Sequence, residues 1–200
     1  MKGSLIIVGF FGLGTLCGYF HWIPSEWLSG DFSVYALCGL MFSVGLSIGH
    51  DPHTIQNFRT LNPRLMLLPL ATILGTLSAA LLISFILPHR TAPECMAVGS
   101  GFGYYSLSSI FITEYKGAEL GTVALLSNIT REIMTLLCAP LMVHWFGNLA
   151  PISSGGATTM DTTLPIITQT AGSRFVVVSI FHGFIVDFSV PFLVTFFCSI

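Results

Sequence analysis

Apolar segments of membrane length recur along the whole chain, and this pattern limits the possible folds more than any other feature. A helix that crosses a bilayer needs about 20 mostly apolar residues. Several segments approach this length, one of them interrupted by polar residues: Ser4–His21, Ser33–Gly49, Leu65–Leu87, Cys95–Thr113, Thr122–Phe146, Ile152–Thr170 and Phe175–Cys198. Charged residues make up only 8% of the chain, whereas a soluble domain carries about 25%. The sequence therefore predicts an all-α fold, a polytopic membrane helical bundle of about seven spans.

The loops between the first three segments predict an orientation. The second loop holds Arg59 and Arg64, whereas the first holds only the acidic residues Glu26 and Asp31. The positive-inside rule places the two arginines in the cytoplasm, and the N-terminus with them. We therefore expect a multi-pass protein of the cytoplasmic (inner) membrane, surrounded by the lipid bilayer. The net charge of -2 gives no indication of nucleic-acid binding.

A polar stripe runs along one of the predicted spans. Arg131 and Glu132 lie well inside an apolar segment, where a charge must face protein, water or a counter-charge. The set Asn128, Arg131, Glu132 and Thr135 has the spacing i, i+3, i+4, i+7, which is one helix face directed to the bundle interior. Two interpretations remain open. The stripe is either an Arg–Glu lock between helices, or a site where Glu132 binds a cation or a proton and Arg131 adjusts its proton affinity.

A third intramembrane charge, Asp161, lies in the interrupted segment, within the stretch SSGGATTMDTTLP. The glycines and Pro165 break the helical pattern, and Thr159 and Thr162 lie close to the acid. Unwound backbone is tolerated at membrane depth only where it is buried in protein or lines a cavity, and transporters hold ions and substrates at such breaks. We therefore expect Asp161, with Thr159 and Thr162, to bind a cation. The alternative is a surface loop in which Asp161 caps a helix.

A second break is predicted in the stretch VGSGFGYYSLSSIF. Alternating glycines are followed by Tyr104, Tyr105 and Ser106. One interpretation is close packing of helices through small residues. The other is a wall of a substrate path lined by hydroxyls and rings, in which Tyr104 or Tyr105 offers a cation–π face.

Histidines give weaker indications. His182 lies in the last span with Asp187 after it, and it is either part of a proton relay or a hydrogen-bonded interior histidine. His50, Asp51 and His53 lie in a loop, where solvated side chains are more common than a metal site. We expect no metal and no cofactor.

Four stretches together resemble the LysO-type lysine exporter family: SGFGYYSLSSIFITE (100–114), LSNITREIMTLLCAPL (126–141), GGATTMDTTLPIITQTAG (155–172) and FHGFIVDFSVPFLVTFF (181–197). Their order and spacing match over residues 95–198, and the likeness is looser over 1–90. The resemblance implies export of L-lysine, in exchange for protons. It also implies that the family's intramembrane acidic pair falls on Glu132 and Asp161.

Members of this family are often longer chains, and the resemblance is to their C-terminal domain. It implies a split exporter, in which a small membrane subunit supplies the N-terminal spans, or else a homodimer. Kinship to antiporters with two crossed broken helices implies half or more of an inverted-repeat antiporter-like fold. Residues 1–200 then form a single membrane domain, with the first three spans in 1–90 and the core, with its broken helices and acidic site, in 91–200.

Three other functions compete with lysine export. The same architecture suits a sodium- or proton-coupled transporter of another small solute, and it suits a non-transporting subunit that needs a partner. Asp161 and Asp187 could form an aspartyl protease dyad. The chain contains no GxGD motif, so we expect that it is not an enzyme.

Overall fold

The computed structural model describes residues 9, 13–14, 16–20, 22 and 63–200. The chain divides into two compact units, Met1–Arg59 and Thr60–Ile200. In the first unit, the described residues 16–19 are helical and lie within the first expected span. The second expected span and several loop residues used above lie outside the described residues: Ser33–Gly49, Glu26, Asp31, His50, Asp51, His53 and Arg59.

Residues 63–200 of the second unit form only helices and turns, which confirms the all-α prediction for the described part of the chain. The helices are α1 Leu68–Ser84, α2 Ala92–Gly99, α3 Tyr105–Lys116, α4 Ala118–Phe146, α5 Ala150–Gly155, α6 Leu164–Ala171 and α7 Val176–Ser199. Short 3-10 turns lie before α1, between α5 and α6, and before α7: Pro63–Leu67, Gly156–Met160 and Ser173–Phe175.

Three helices of the described residues are long and apolar enough to cross a membrane. They are Arg64–Ser84, Ala118–Phe146 and Ser173–Ser199, which contain α1, α4 and α7. These bounds agree within a few residues with the spans that the sequence predicts in these regions. The prediction of a helical membrane bundle is confirmed.

The predicted break after Gly99 exists, but the two halves on either side of it turn back instead of crossing. Arg90, which precedes α2, forms an ion pair with Glu119 at the start of α4. At the other end of α2, the Val98 carbonyl accepts a hydrogen bond from Asn128 Nδ2 at 3.2 Å. The helix α2 therefore runs in the same direction as α4, from its start towards its middle.

The helix α3 then returns along α4 to the side from which α2 came. Ser108 lies 3.5 Å from Asn128 through their side chains, and α3 ends one residue before α4 begins. Together α2 and α3 form a re-entrant hairpin, hairpin 1. Its tip, residues 100–104, lies about 15 Å along α4, because a helix rises about 1.5 Å per residue. The expectation that Cys95–Thr113 crosses the membrane is wrong for this reason.

The second interrupted segment folds in the same way from the opposite end of the bundle. The helix α5 approaches the middle of α4, where Arg131 Nε donates a hydrogen bond to the Ser154 carbonyl at 2.8 Å. The helix α6 returns, and Ala171 packs in one apolar cluster with Val178 near the start of α7. Together α5 and α6 form hairpin 2, with residues 156–163 as its tip.

Each hairpin follows a long helix, and the two pairs have opposite directions. End A of the bundle holds Arg90 and Glu119, and end B holds Phe146 and Arg174. The helix α1 runs from end B to end A and is followed by hairpin 1, which enters from end A. The helix α4 runs from end A to end B and is followed by hairpin 2, which enters from end B. This helix-plus-hairpin pattern is an inverted repeat.

Two buried apolar clusters hold the hairpins against the long helices. The cluster around hairpin 1 contains Ala97, Phe102, Ile112, Leu120, Ala124, Ala157, Val186, Val190, Val194, Phe197 and Cys198. The cluster around hairpin 2 contains Ala139, Ile152, Ile166, Ile167, Ala171 and Val178. Because α4 and α7 contribute to both, they form the frame on which the two tips meet.

The hairpins predict which residues share a membrane surface. In a variant without its native cysteines, single cysteines at His89 and Lys116 should react with an impermeant maleimide from the same side. Cysteines at Asn148 and Ser173 should react only from the other side. Labelling of positions 89 and 116 from opposite sides would contradict hairpin 1 and would mean that the segment between them crosses the membrane.

Candidate functional site

The two tips meet in the middle of the bundle. The Ala157 N–H donates a hydrogen bond to the Phe102 carbonyl at 2.9 Å, which joins the second tip to the first. Phe102 is fully buried and has a positive φ of 45°, a conformation that costs about 1–2 kcal/mol in a residue other than glycine. Gly156 also has a positive φ, of 63°. The contact between the tips therefore holds Phe102 in a backbone conformation that it would rarely adopt alone, whereas glycine at 156 adopts positive φ readily.

Asn128 fixes the first tip to α4. Its Oδ1 accepts a hydrogen bond from the Gly103 N–H at 2.8 Å. Its Nδ2 donates to the carbonyls of Val98 at 3.2 Å and Ala124 at 2.9 Å. The side chain is 3% exposed, so these bonds replace the water that an unwound backbone would otherwise need. Asn128 therefore has a structural role in the position where the sequence predicts a site residue.

Arg131 fixes the second tip and also touches the first. Its Nε and Nη2 donate to the carbonyls of Ser154 at 2.8 Å and Ser153 at 3.0 Å, at the C-terminus of α5. Its guanidinium lies 5.7 Å from the centre of the Phe102 ring, and Nη1 lies 3.4 Å from Thr76 Oγ1 on α1. A cation at a helix C-terminus is favourable because the helix dipole is negative there.

This geometry answers the question that the polar stripe raised. Within the described residues the ion pair that forms is Arg90–Glu119 at end A, and Arg131 binds backbone carbonyls instead of Glu132. Thr135, the last member of the stripe, lies 2.7 Å from Ser154 through their hydroxyls. The stripe therefore faces the bundle interior, as predicted; it meets the two tips there, and it does so without an Arg–Glu lock.

Glu132 and Asp161 lie close enough at the tips for their charges to interact. The Thr162 side chain lies near the Glu132 carboxylate, and its hydroxyl is 3.4 Å from Asp161 Oδ1. The Thr162 N–H donates to the same Asp161 oxygen at 2.6 Å. Both acids are half-buried, and each lies within electrostatic range of the other and of Tyr105. Thr162 thus neighbours two carboxylates that come from different elements.

The structure adds a third carboxylate to this pair. Asp187 on α7 is half-buried and within electrostatic range of Asp161, and Tyr104 is within range of both. We call Glu132, Asp161 and Asp187 the acid cluster. Within the described residues no cation forms an ion pair with any of the three, and no group of His, Cys, Asp and Glu side chains could hold a metal ion.

Thr159 and His182 lie away from the acid cluster. Thr159 Oγ1 is 3.2 Å from His182 Nδ1, and His182 Nε2 is 2.9 Å from Thr72 Oγ1 on α1. Both Thr159 and His182 are fully buried. Of the predicted site residues, Thr162, Tyr104 and Tyr105 therefore accompany the acids, whereas Thr159 and His182 form a separate buried contact.

Ser106 and Tyr105 are exposed in the first turn of α3. The hydroxyl of Ser106 makes no hydrogen bond with the described residues, so the structure gives it no partner in the acid cluster. Tyr105 is 38% exposed and is directed close enough to Glu132 to interact with it. Of the three residues that one interpretation places in the wall of a substrate path, Tyr104 and Tyr105 lie within electrostatic range of the acids, and in the described part of the chain no contact joins Ser106 to them.

A cavity of about 320 Å³ lies between α1, α2 and α4, and it is bounded by Arg131 and Asn128 but not by the acid cluster. Its other lining residues are Thr76, Ala79, Ala80, Ile83, Leu87, Arg90, Glu94, Cys95, Val98, Gly99, Leu120, Val123 and Ser127. This lining is mostly apolar. The cavity is therefore separate from the carboxylates, and the chemistry points to the acid cluster as the candidate site.

Sequence reasoning missed the contribution of α1. Thr72 and Thr76 reach His182 and Arg131 respectively. They are four residues apart and therefore share one face of an otherwise apolar helix. That spacing is a signal that could have predicted an inward-facing polar pair.

Comparison with known proteins places the chain in a family. The family model described as Lysine exporter LysO matches residues 8–198. The chain belongs to the lysine exporter LysO family. Family membership, together with the three long apolar helices, makes this a membrane protein of a transporter family.

Two relatives show how the family varies in length. The chain is 34% identical over 199 residues to Lysine exporter LysO of Escherichia coli strain K12, covering 98% of this chain and 62% of that protein. It is 30% identical over 180 residues to a Haemophilus influenzae protein provisionally assigned as a lysine exporter, covering 89% of this chain and 91% of that one. The chain thus spans less than two thirds of the length of the E. coli relative. No solved structure matches it.

Removing the Arg131 guanidinium should destabilise the bundle. In Arg131→Met the buried carbonyls of Ser153 and Ser154 lose their hydrogen-bond donors, which should cost about 1–3 kcal/mol for each carbonyl. Arg131→Lys should be intermediate, because an ammonium cannot reproduce the fork of donors. The measurement is the thermal stability of the purified protein in detergent. The matched control is Arg90→Met, whose ion pair with the exposed Glu119 is worth at most about 1 kcal/mol, and equal losses for the two methionine variants would contradict the role of Arg131.

Proposed function

We propose that this chain forms the core of an L-lysine export pathway across the cytoplasmic membrane, and that export is exchanged for protons. One observation supports the proposal above all others. The second tip brings Asp161 within electrostatic range of Glu132 of α4, with Thr162 next to Asp161 and near Glu132, in a family that includes a protein named lysine exporter. The resemblance between the motifs of this sequence and those of the family points to the same two acids.

The chemistry of lysine suits a pair of carboxylates. Lysine carries two ammonium groups and one carboxylate at neutral pH. Moving an ammonium group to the middle of a bilayer costs several kcal/mol, unless an opposite charge compensates it there. Glu132 and Asp161 supply that charge at the depth of the tips. The rings of Tyr104 and Tyr105 add faces that attract cations.

Coupling to protons follows if proton and lysine exclude each other at the same carboxylate. Protonation of Asp161 or Glu132 from the outside would neutralise the acid and release lysine. Deprotonation towards the cytoplasm would restore the charge that binds the next lysine. Asp187 extends the site, because its charge lies within range of Asp161.

The orientation that we propose places end B in the cytoplasm. Arg64 and Arg174 lie at end B, and Arg59 lies just before Arg64 in the sequence. End A holds Arg90 and Lys116. When Arg59 is counted with Arg64 from the sequence, end B has three basic residues against two at end A, and the positive-inside rule then favours a cytoplasmic end B. Two of the seven expected crossings become hairpins, so an odd number of crossings remains and the two termini lie on opposite sides of the membrane in this proposal.

We propose that a second membrane chain completes the pathway. The acid cluster is only half-buried in the described residues, and unpaired carboxylates at membrane depth need protein or water around them. The longer E. coli relative has additional sequence that this chain does not match, which fits a small subunit with N-terminal spans. A relative of nearly the same length fits a homodimer instead.

The test is lysine efflux from cells that lack their own lysine exporters. The cells are preloaded with lysine and express this chain alone, or together with the small membrane protein encoded beside it, if its genome carries one. We expect lysine to leave faster than from cells with an empty vector. An inward proton gradient should increase the rate, and a protonophore should abolish that increase.

The same cells separate the alternatives. Efflux is also tested with arginine, ornithine and neutral amino acids. Faster efflux of one of these solutes than of lysine would show that lysine is not the main substrate. Efflux that depends on a sodium gradient would show that sodium, and not the proton, is the coupling ion. Absence of efflux under every condition, with the protein present in the membrane, would indicate a subunit that does not transport.

A further inference from the structure

We propose that His182 is a positioning residue that holds the second tip, and with it Asp161, and that it carries no proton during transport. The argument uses the buried contacts of α7. The transport assay that tests it rests on the proposed function. It decides between the two roles that the sequence leaves open for this histidine.

His182 joins three elements at one point. It lies on α7 and is fully buried. Its Nε2 is 2.9 Å from Thr72 Oγ1 of α1, and its Nδ1 is 3.2 Å from Thr159 Oγ1 of the second tip. The ring therefore connects the unwound backbone of hairpin 2 to two long helices.

The protons in this contact can be assigned from the partners. Thr159 Oγ1 lies 2.8 Å from the Gly156 carbonyl and 2.9 Å from the Ser179 carbonyl. Its single hydroxyl proton is therefore donated to a carbonyl, and its oxygen accepts from His182 Nδ1–H. The other ring nitrogen, Nε2, then carries no proton and accepts from the Thr72 hydroxyl. This arrangement is one tautomer of the neutral imidazole.

The surroundings of His182 favour the neutral form. The groups that face it are hydroxyls from α1 and the second tip, backbone carbonyls of that tip, and the Arg131 charge from α4. Within the described residues no carboxylate hydrogen-bonds the ring. A second ring proton would place a charge in a buried site beside a guanidinium, and it would take the acceptor of the Thr72 hydroxyl.

The contact with His182 is linked to Asp161 through the backbone, because Thr159 lies two residues before Asp161. Thr159 is followed by Met160, whose N atom would lie 2.7 Å from a Cβ added at Gly183, the neighbour of His182. The tip thus packs tightly on α7 at this point. A displacement of Thr159 would therefore be passed on to Asp161, and a shift of about 1 Å at a binding group can cost about a hundredfold in rate.

The test compares His182→Asn with His182→Ala. An asparagine amide can donate to Thr159 from the position of Nδ1, whereas alanine cannot. We expect His182→Ala to lower maximal lysine efflux about tenfold or more and His182→Asn to restore most of it. We also expect the pH dependence of efflux in His182→Asn to overlay that of the wild type. A shifted or flattened pH profile in His182→Asn would overturn the proposal, because a proton carrier cannot be replaced by an amide.

A second measurement does not need transport. Hydrogen–deuterium exchange of the peptide that contains residues 156–163 should increase in His182→Ala and stay near the wild-type level in His182→Asn. Unchanged exchange in His182→Ala would overturn the positioning role. If the wild type exports no lysine, the proposed function fails, while this exchange result still decides the role of His182.

Discussion

Asp161→Asn and Glu132→Gln are each expected to reduce lysine efflux about a hundredfold or more. Each amide keeps the shape of the acid and the hydrogen bonds around Thr162, but it removes one of the negative charges that compensate an ammonium group. Leaving a buried charge without its partner costs about 3–5 kcal/mol, and about 1.4 kcal/mol corresponds to each factor of ten. The measurement is initial lysine efflux from preloaded cells or vesicles, normalised to the amount of protein in the membrane.

The matched controls are Glu94→Gln and Glu119→Gln, which remove carboxylates at end A, outside the acid cluster. Both are expected to export at close to the wild-type rate. Membrane insertion and thermal stability of all four variants should stay near those of the wild type. Near-normal efflux by both Asp161→Asn and Glu132→Gln would reject the carboxylate mechanism.

The acids could be predicted from the sequence because their position in a membrane span is itself improbable. Glu132 follows Arg131 at a depth where charges are costly, and Asp161 lies in a segment that cannot form a regular helix. The helical spacing from Asn128 to Thr135 also predicts correctly that this face meets other elements. These signals are local in sequence, so a single chain is enough to detect them.

The direction of the chain after each break could not be predicted in this way. A broken helix that continues across the membrane and one that turns back have the same glycines, the same polar residues and the same apolar halves. What decides between them is contact with distant residues, such as the ion pair between Arg90 and Glu119. Such contacts have no local pattern, and the two expected crossings therefore became hairpins.

The role of Arg131 was open for the same reason. Adjacent Arg and Glu residues on a helix suggest that the two charges act on each other. The structure instead directs Arg131 to the carbonyls that end α5, while Glu132 lies near Thr162 of the second tip. Two adjacent residues of α4 thus have different surroundings: Arg131 holds the tip backbone, and Glu132 is the residue for which we propose ligand binding.

Gly156→Ala is expected to be the most disruptive substitution of a single small residue at the tips. Gly156 has φ 63° and ψ −124°, a conformation that costs an L-residue about 1–3 kcal/mol. A Cβ at this position would also overlap the backbone carbonyl of Phe102, which accepts the hydrogen bond that joins the two tips. We expect a fall in melting temperature of about 10 °C, since about 1 kcal/mol corresponds to about 2–4 °C for a chain of this size, together with loss of efflux.

Substitutions at two other glycines separate the two causes of the expected destabilisation, which are backbone strain and collision with Phe102. Gly172 has φ 103° but nothing within 4 Å of an added Cβ, so Gly172→Ala introduces backbone strain without a collision. Gly75 lies in α1 with open space around it, so Gly75→Ala introduces neither and should leave the melting temperature unchanged or slightly raised. The expected order of destabilisation is therefore Gly156, then Gly172, then Gly75. Equal losses at 156 and 172 would mean that the close approach of the tips contributes nothing, and that the acids owe their position to α4 and α7 alone.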